Sequence, residues 1–198
     1  RSFTIADMSD LHLGSPNCAE DTLQETIAKI ADTPDCYVIF KGDAIEAILP
    51  NDKRYVHSAV KENLKSPKQQ ADRVIALFQP IKDRILAWGM GNHEYKLFNT
   101  MDFARYMATE LGCPYGAWNF KVHFVKKSGK LMFKTFHTHG MGGLNSNAKD
   151  EIQWDANRRA ALKHKLVKSG HADCIYMSRG HDHQLLTVEP TVQHKLYL

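Results

Sequence analysis

The chain has 198 residues, of which 43% are hydrophobic and 24% charged, and 26 Lys and Arg stand against 22 Asp and Glu. That balance excludes a wholly disordered chain, and 12 Gly and 7 Pro without a period exclude a fibre. No apolar run approaches the roughly 20 residues of a membrane-spanning helix. There is also no apolar signal-peptide core, so the expectation is a cytoplasmic protein with no membrane partner.

Length alone predicts one domain over residues 1–198. The first residue is Arg1 and the last four, Lys195 to Leu198, read as strand, so a chain trimmed at either end is expected. In chain order, Ser2–Met8 reads as a strand. Leu23, Ile27 and Ile30 recur at helical spacing and predict a helix over about residues 20–32, broken by Thr33-Pro34-Asp35. Cys36–Phe40 is a continuous apolar run, the mark of a strand buried on both faces. Val56, Val60 and Leu64 give a helical stripe closed by Ser66-Pro67. Ala71, Val74, Ile75 and Phe78 give another, and Ile85–Trp88 a second buried strand. Phe103, Met107 and Leu111 mark a helix stopped at Gly112.

After that the texture changes. Lys121–Val125 and Leu131–Thr138 flank a Lys-Gly turn and read as a hairpin. Residues 140–149 read as loop, Asp155–Lys168 as a basic helix, Cys174–Met177 as a strand, and 184–198 as a final hairpin. Helix–strand alternation followed by hairpins predicts an α/β domain with mixed sheets. The four cysteines, at 18, 36, 113 and 174, have no C-x-x-C spacing and read as free thiols in a reducing compartment.

Five polar clusters fall at or just after strand C-termini, where open α/β sheets bind ligands. They are Asp10-Leu11-His12, Gly42-Asp43, Gly91-Asn92-His93-Glu94, His137-Thr138-His139-Gly140 and Gly180-His181-Asp182-His183. Asp, Asn and His make a mixed oxygen and nitrogen donor set suited to divalent transition metals such as Mn, Fe or Zn. In extended chain, residues i and i+2 share a side, so Asp10 with His12, and His181 with His183, can each grip one ion. Neighbours point apart, so Asn92 can ligate while His93 faces a substrate. Asp43, with two carboxylate oxygens, is the natural bridge.

The ordered set D-x-H, G-D, G-N-H-E, H-G and G-H-x-H resembles the calcineurin-like metallophosphoesterases. Gly42 to Glu46, with Asp52-Lys53-Arg54 and Gly91 to Tyr95, is similar to the small phage and prophage members. The resemblance implies two mixed β-sheets packed as a sandwich flanked by helices, with a dinuclear site at the strand ends. It implies Asp10, His12, Asp43 and His183 on one ion, and Asp43, Asn92, His139 and His181 on the other. It places the ligand immediately before Gly, hence His139 over His137. It also implies His93 near the leaving group as general acid, and Glu46 orienting His93. Two divalent ions are expected, manganese first, with iron, zinc or nickel as alternatives.

The implied activity is phosphate-ester hydrolysis. Residues 121–198 hold 13 Lys and Arg against 6 Asp and Glu, and the phage-like texture adds to that balance. Together they favour a phosphodiesterase or nuclease acting on DNA or RNA. A phosphomonoesterase and a non-catalytic binding module on the same fold are the alternatives.

Overall fold

The computed structural model describes residues 2–49, 52 and 62–189. The first half of the chain builds one sheet. Strands β1 (Thr4–Met8), β2 (Cys36–Phe40), β3 (Ile85–Gly89) and β4 (Tyr115–Ala117) lie side by side in that order, all parallel. Parallel pairing needs crossovers, and the helices supply them. Helix α1 (Glu20–Asp32) joins β1 to β2 and buries Leu23, Ile27 and Ile30, the stripe read from the sequence. Helix α2 (Pro67–Phe78) leads into β3 through a 3-10 segment, Gln79–Arg84.

Ser66-Pro67 opens α2 and does not close a preceding helix. The Ser66 hydroxyl accepts the Gln69 N–H while Gln69 returns a bond to the Ser66 N–H, and Pro67 takes the first-turn position where no donor is needed. The helical stripe expected over Val56, Val60 and Leu64 lies mostly outside the described residues; Glu62–Leu64 is a 3-10 turn.

Asn92–Tyr95 forms a single turn, α3, and Phe103–Glu110 forms α4, capped by Asp102 on the Arg105 N–H. The core gathers where these helices meet the sheet: Phe40 stacks on Trp88 at 4.2 Å between ring centroids, with Phe78 edge-on to both. Full burial of Val38, Ile39 and Phe40 matches the apolar run of β2.

The second sheet has three strands, β5 (Asn119–Val125), β6 (Leu131–Thr138) and β7 (Tyr176–Arg179). β5 and β6 form the expected antiparallel hairpin, and β7 joins β6 in parallel after α5 (Glu151–Lys168). The protein is thus α/β with two sheets and helices. Only the second sheet is mixed; the first is parallel throughout among the described residues, because each of its connections carries a helix or passes through the loops around one. Residues 184–189 form no strand, so the first arm expected of a final hairpin is absent, and residues 190–198 lie outside the described residues.

Phe3 stacks on Phe124 and Phe133, and the Tyr176 hydroxyl donates to Asp7 at 2.8 Å, tying the two sheets together. Among the described residues no helix is long and apolar enough to cross a membrane, and Cys36, Cys113 and Cys174 are free thiols.

Candidate metal centre

Five strand ends converge. β1 stops at Met8 before Asp10, β2 at Phe40 before Asp43, β3 at Gly89 before Asn92, β6 at Thr138 before His139, and β7 at Arg179 before His181. Side-chain donor atoms then fall into overlapping groups within 4.8 Å of one another: Asp10, His12 and His183; Asp43, His139 and His181; and His12, Asp43 and His93. Asp43 belongs to the last two. Its Oδ2 lies 3.2 Å from His139 Nε2 and 3.8 Å from His12 Nε2. Asn92 Oδ1 sits 2.9 Å from His139 Nε2 and 2.7 Å from His181 Nδ1. On the other side, His183 Nε2 is 3.1 Å from His12 Nε2 and 3.6 Å from Asp10 Oδ1.

The backbone that achieves this is not extended. Asp10, His12, Asp43, His181 and His183 all have φ between 49° and 77°. The left-handed region costs a non-glycine residue roughly 1–3 kcal/mol and persists only where the surroundings enforce it. The i, i+2 alternation of a strand therefore does not apply past the strand ends. Asp10 and His12 still meet in one group, but His181 and His183 separate, His181 toward Asp43 and His183 toward Asp10.

Close backbone approach makes the crossing possible. A Cβ on Gly42 would lie 2.2 Å from the Gly91 nitrogen, and one on Gly91 would lie 2.1 Å from Asp43 Oδ1. Only glycine fits either position.

Buried acceptors fix the imidazoles. His139 Nδ1 donates to the Lys41 carbonyl at 3.1 Å, which leaves Nε2 as a lone pair aimed at the oxygens of Asp43 and Asn92. Acceptor facing acceptor is unfavourable; a second ring proton or a divalent cation resolves it. Burial alone would lower the His139 pKa, but the hydrogen bond and charge of Asp43 outweigh it and raise it. Burial likewise opposes ionisation of Asp43, and the His139 hydrogen bond and charge overcome it, so its pKa is lowered.

His12 repeats the pattern. Its Nδ1 is 2.8 Å from Glu46 Oε2, which turns Nε2 toward Asp10, Asp43 and His183. The Glu46 bond and the Asp43 charge raise the His12 pKa against burial. The donor set, one nitrogen from each imidazole and oxygens from Asp and Asn, with the far ring nitrogens of His12 and His139 held by oxygen acceptors, fits divalent transition metals.

His93 follows Asn92 into the first turn of α3. Its N–H donates to Asp43 Oδ1 at 2.8 Å, and its ring Nδ1 donates to the Glu46 backbone carbonyl. The Glu46 carboxylate lies 3.9 Å from His93, so the acid expected to orient His93 instead binds His12, and the main chain of the same residue holds His93. Burial lowers the His93 pKa.

His137 is not part of the cluster. It is fully buried in β6 between the hydroxyls of Thr135 and Ser178, each at 2.8 Å, and burial drives its pKa down to about 4. Asp182 faces away, toward Arg179 and the Leu144 N–H. Asp7 pairs with Lys41 at 2.5 Å, anchoring the strand end whose carbonyl holds His139.

One residue carries a role that no motif assigned. Glu94 is buried, and its two oxygens accept four backbone N–H groups, from Asp43, Ala44, Ile45 and Gly91. Burial and the Asp43 charge raise its pKa against the pull of these donors. Its place in Gly-Asn-His-Glu, beside two residues already chosen, was the available signal.

Of the basic residues expected to meet a polyanion, Lys165 lines a second cavity with Lys168, Arg179 and Gly140, next to His139, whereas Lys126, Lys127, Lys130, Arg158 and Arg159 are placed apart from the cluster. Lys126, Lys127 and Lys130 occupy the β5–β6 turn, at the opposite end of β6 from His139, about 25 Å away at the usual rise per residue. Arg158 is buried on the Leu144 carbonyl and stacked on Trp154, Arg159 pairs with Asp155, and Lys165 donates to the Met141 carbonyl. Lys53, Arg54, His57 and His194 lie outside the described residues.

Comparison with known proteins adds no identity: no family model matches this chain, and no curated protein matches it significantly.

Proposed function

We propose that this protein is a metal-dependent phosphoric ester hydrolase of the calcineurin-like metallophosphoesterase type. In this reading it holds two divalent ions, manganese before iron, zinc or nickel, and its two sheets and flanking helices are that family's layered fold. The observation that carries the reading is Asp43, whose carboxylate lies between His12 and His139, two imidazoles whose remaining nitrogens are already committed to oxygen acceptors.

Two ions in such a site, when bound, neutralise phosphoryl oxygens and make water acidic enough to attack phosphorus at neutral pH. Asp10, His12 and His183 hold one, Asn92, His139 and His181 the other, and Asp43 serves both. Glu46 and the Lys41 carbonyl keep the two imidazoles aimed inward. His93, with Nδ1 on the Glu46 carbonyl, has Nε2 left to give a proton to the departing alkoxide.

Elemental analysis of protein reconstituted with Mn, paired with turnover of p-nitrophenyl and bis-p-nitrophenyl phosphate, tests this. Two ions per chain and metal-dependent release of p-nitrophenol are expected. One ion or none, or no turnover with the metals bound, would overturn it.

A further inference from the structure

We infer that the groove beside Asp10, His12 and His183 receives an uncharged, hydroxyl-bearing alcohol group, so that the substrate is a small phosphate ester and not a polynucleotide; this rests on the hydrolase reading. The groove is a cavity of about 570 Å³ between the loop after β1 and the first half of α1. That is within the usual size of small-molecule sites.

Its floor is the group Asp10, His12 and His183, and His93 lies on its wall. A phosphoryl group at the metals, with His93 protonating the leaving oxygen, puts the alcohol portion of the ester in this groove. Glu46, bonded to His12, is the one further charged group on the wall; the rest is Ser15, Asn17, Thr22 and Thr26, interleaved with apolar Leu11, Ala19 and Leu23. Thr26 donates to the Thr22 carbonyl at 2.8 Å and the Asn17 backbone N–H to the Ser15 hydroxyl at 3.3 Å, while Thr22 and Asn17 themselves are exposed at the groove. Such groups suit the hydroxyls of a sugar, glycerol or ribose.

A polynucleotide asks for something else. Its flanking phosphates need Lys or Arg along the path. Among the described residues none lines the groove. Helix α1, which forms its wall, carries Glu20, Asp21, Glu25 and Asp32 against a single Lys29. Lys41, which follows β2, is buried on Asp7, and the lysines of the β5–β6 turn are at the far end of their strand.

The test compares glycerol 3-phosphate and adenosine 5′-monophosphate with single- and double-stranded DNA and RNA oligonucleotides, on the Mn-loaded protein. The small esters are expected to have the higher kcat/KM. Thr22→Val should raise KM for both small esters by about three- to tenfold, one hydrogen bond's worth, with the loss falling on KM and not on kcat. Joint replacement of Lys126, Lys127 and Lys130 by Ala should change no rate. Oligonucleotide cleavage at a kcat/KM equal to or above the small esters, a drop in it on removing those lysines, or an unmoved KM in Thr22→Val would overturn the proposal.

Calorimetric binding of adenosine 5′-monophosphate to the same protein separates the two readings. If no ester is hydrolysed, the hydrolase reading fails. The groove assignment then stands or falls on whether Thr22→Val weakens that binding by a similar factor.

Discussion

Glu94 Oε2 accepts the backbone N–H of Asp43 at 3.0 Å, so a buried acid from one strand end holds the shared acid of another. The same carboxylate takes the N–H groups of Ala44, Ile45 and Gly91, and all four partners are donors, the arrangement an ionised carboxylate satisfies. Glu94→Gln keeps the shape but turns an NH2 against two N–H donors. We expect a loss of about 2–4 kcal/mol in urea unfolding, the cost of leaving buried donors unsatisfied, together with weaker metal binding by calorimetric titration. Wild-type values in both would remove Glu94 from this role.

In the proposed centre Asp43 is the one ligand common to both metal positions. Asp43→Ala should strip both ions and nearly all turnover, whereas His183→Ala and Asn92→Ala should each lower the count toward one. Metal analysis of the three variants side by side checks this; a single ion retained by Asp43→Ala would show that the two positions do not share it.

His93 lies within reach of His12 and Asp43 as well as of the groove, so geometry leaves two roles open to one measurement. As the proton donor it should be dispensable for metal and needed for rate. His93→Ala is expected to keep both ions and to lose more activity on alkyl than on p-nitrophenyl esters, because a good leaving group needs little protonation. Loss of metal would make it a ligand instead.

His137 makes stability depend on pH. Its pKa is about 4 in the fold against an ordinary value of 6.5. Between those values the unfolded chain binds the extra proton and the folded chain does not, so this contribution is present above pH 6.5 and lost as pH falls toward 4. From pH 7 to 5 the loss is roughly 2 kcal/mol. His137→Gln should be less stable at neutral pH, having disturbed the bonds to Thr135 and Ser178, yet lose less on acidification. Urea midpoints at pH 7 and pH 5 for both proteins give the comparison; parallel losses would contradict it.

Local sequence was enough to place the strand ends. Apolar runs such as Cys36–Phe40 and periodic stripes such as Leu23, Ile27 and Ile30 form elements through burial that the chain itself encodes, and the polar residues after each run therefore fall at the sheet's rim. The same logic put Asp10, His12, Asp43, Asn92, His181 and His183 at that rim, whereas the choice of His139 over His137 came from the resemblance. Local sequence missed β4, three residues long and containing Gly116, whose place comes from pairing with β3 and not from pattern.

Tertiary structure decided the assignments that depend on which way a side chain turns. His137 and His139 are two apart and look equivalent along an extended chain. Both are fully buried, but Thr135 and Ser178 occupy the ring nitrogens of His137 within the sheet, while the end of β6 lets His139 reach Lys41 and Asn92. Left-handed backbone at Asp10, His12, Asp43, His181 and His183 depends on neighbouring chains that hold it in place, such as Asp10 accepting the His181 N–H, so no pattern of residue types reveals it. Glu46 went to His12 instead of His93 for the same reason: its carboxylate and its carbonyl leave the same residue in different directions, and three-dimensional packing chose the partner of each. Net charge on the second half of the chain was legible from composition, but its position was not, because a lysine's use depends on which end of a strand it occupies.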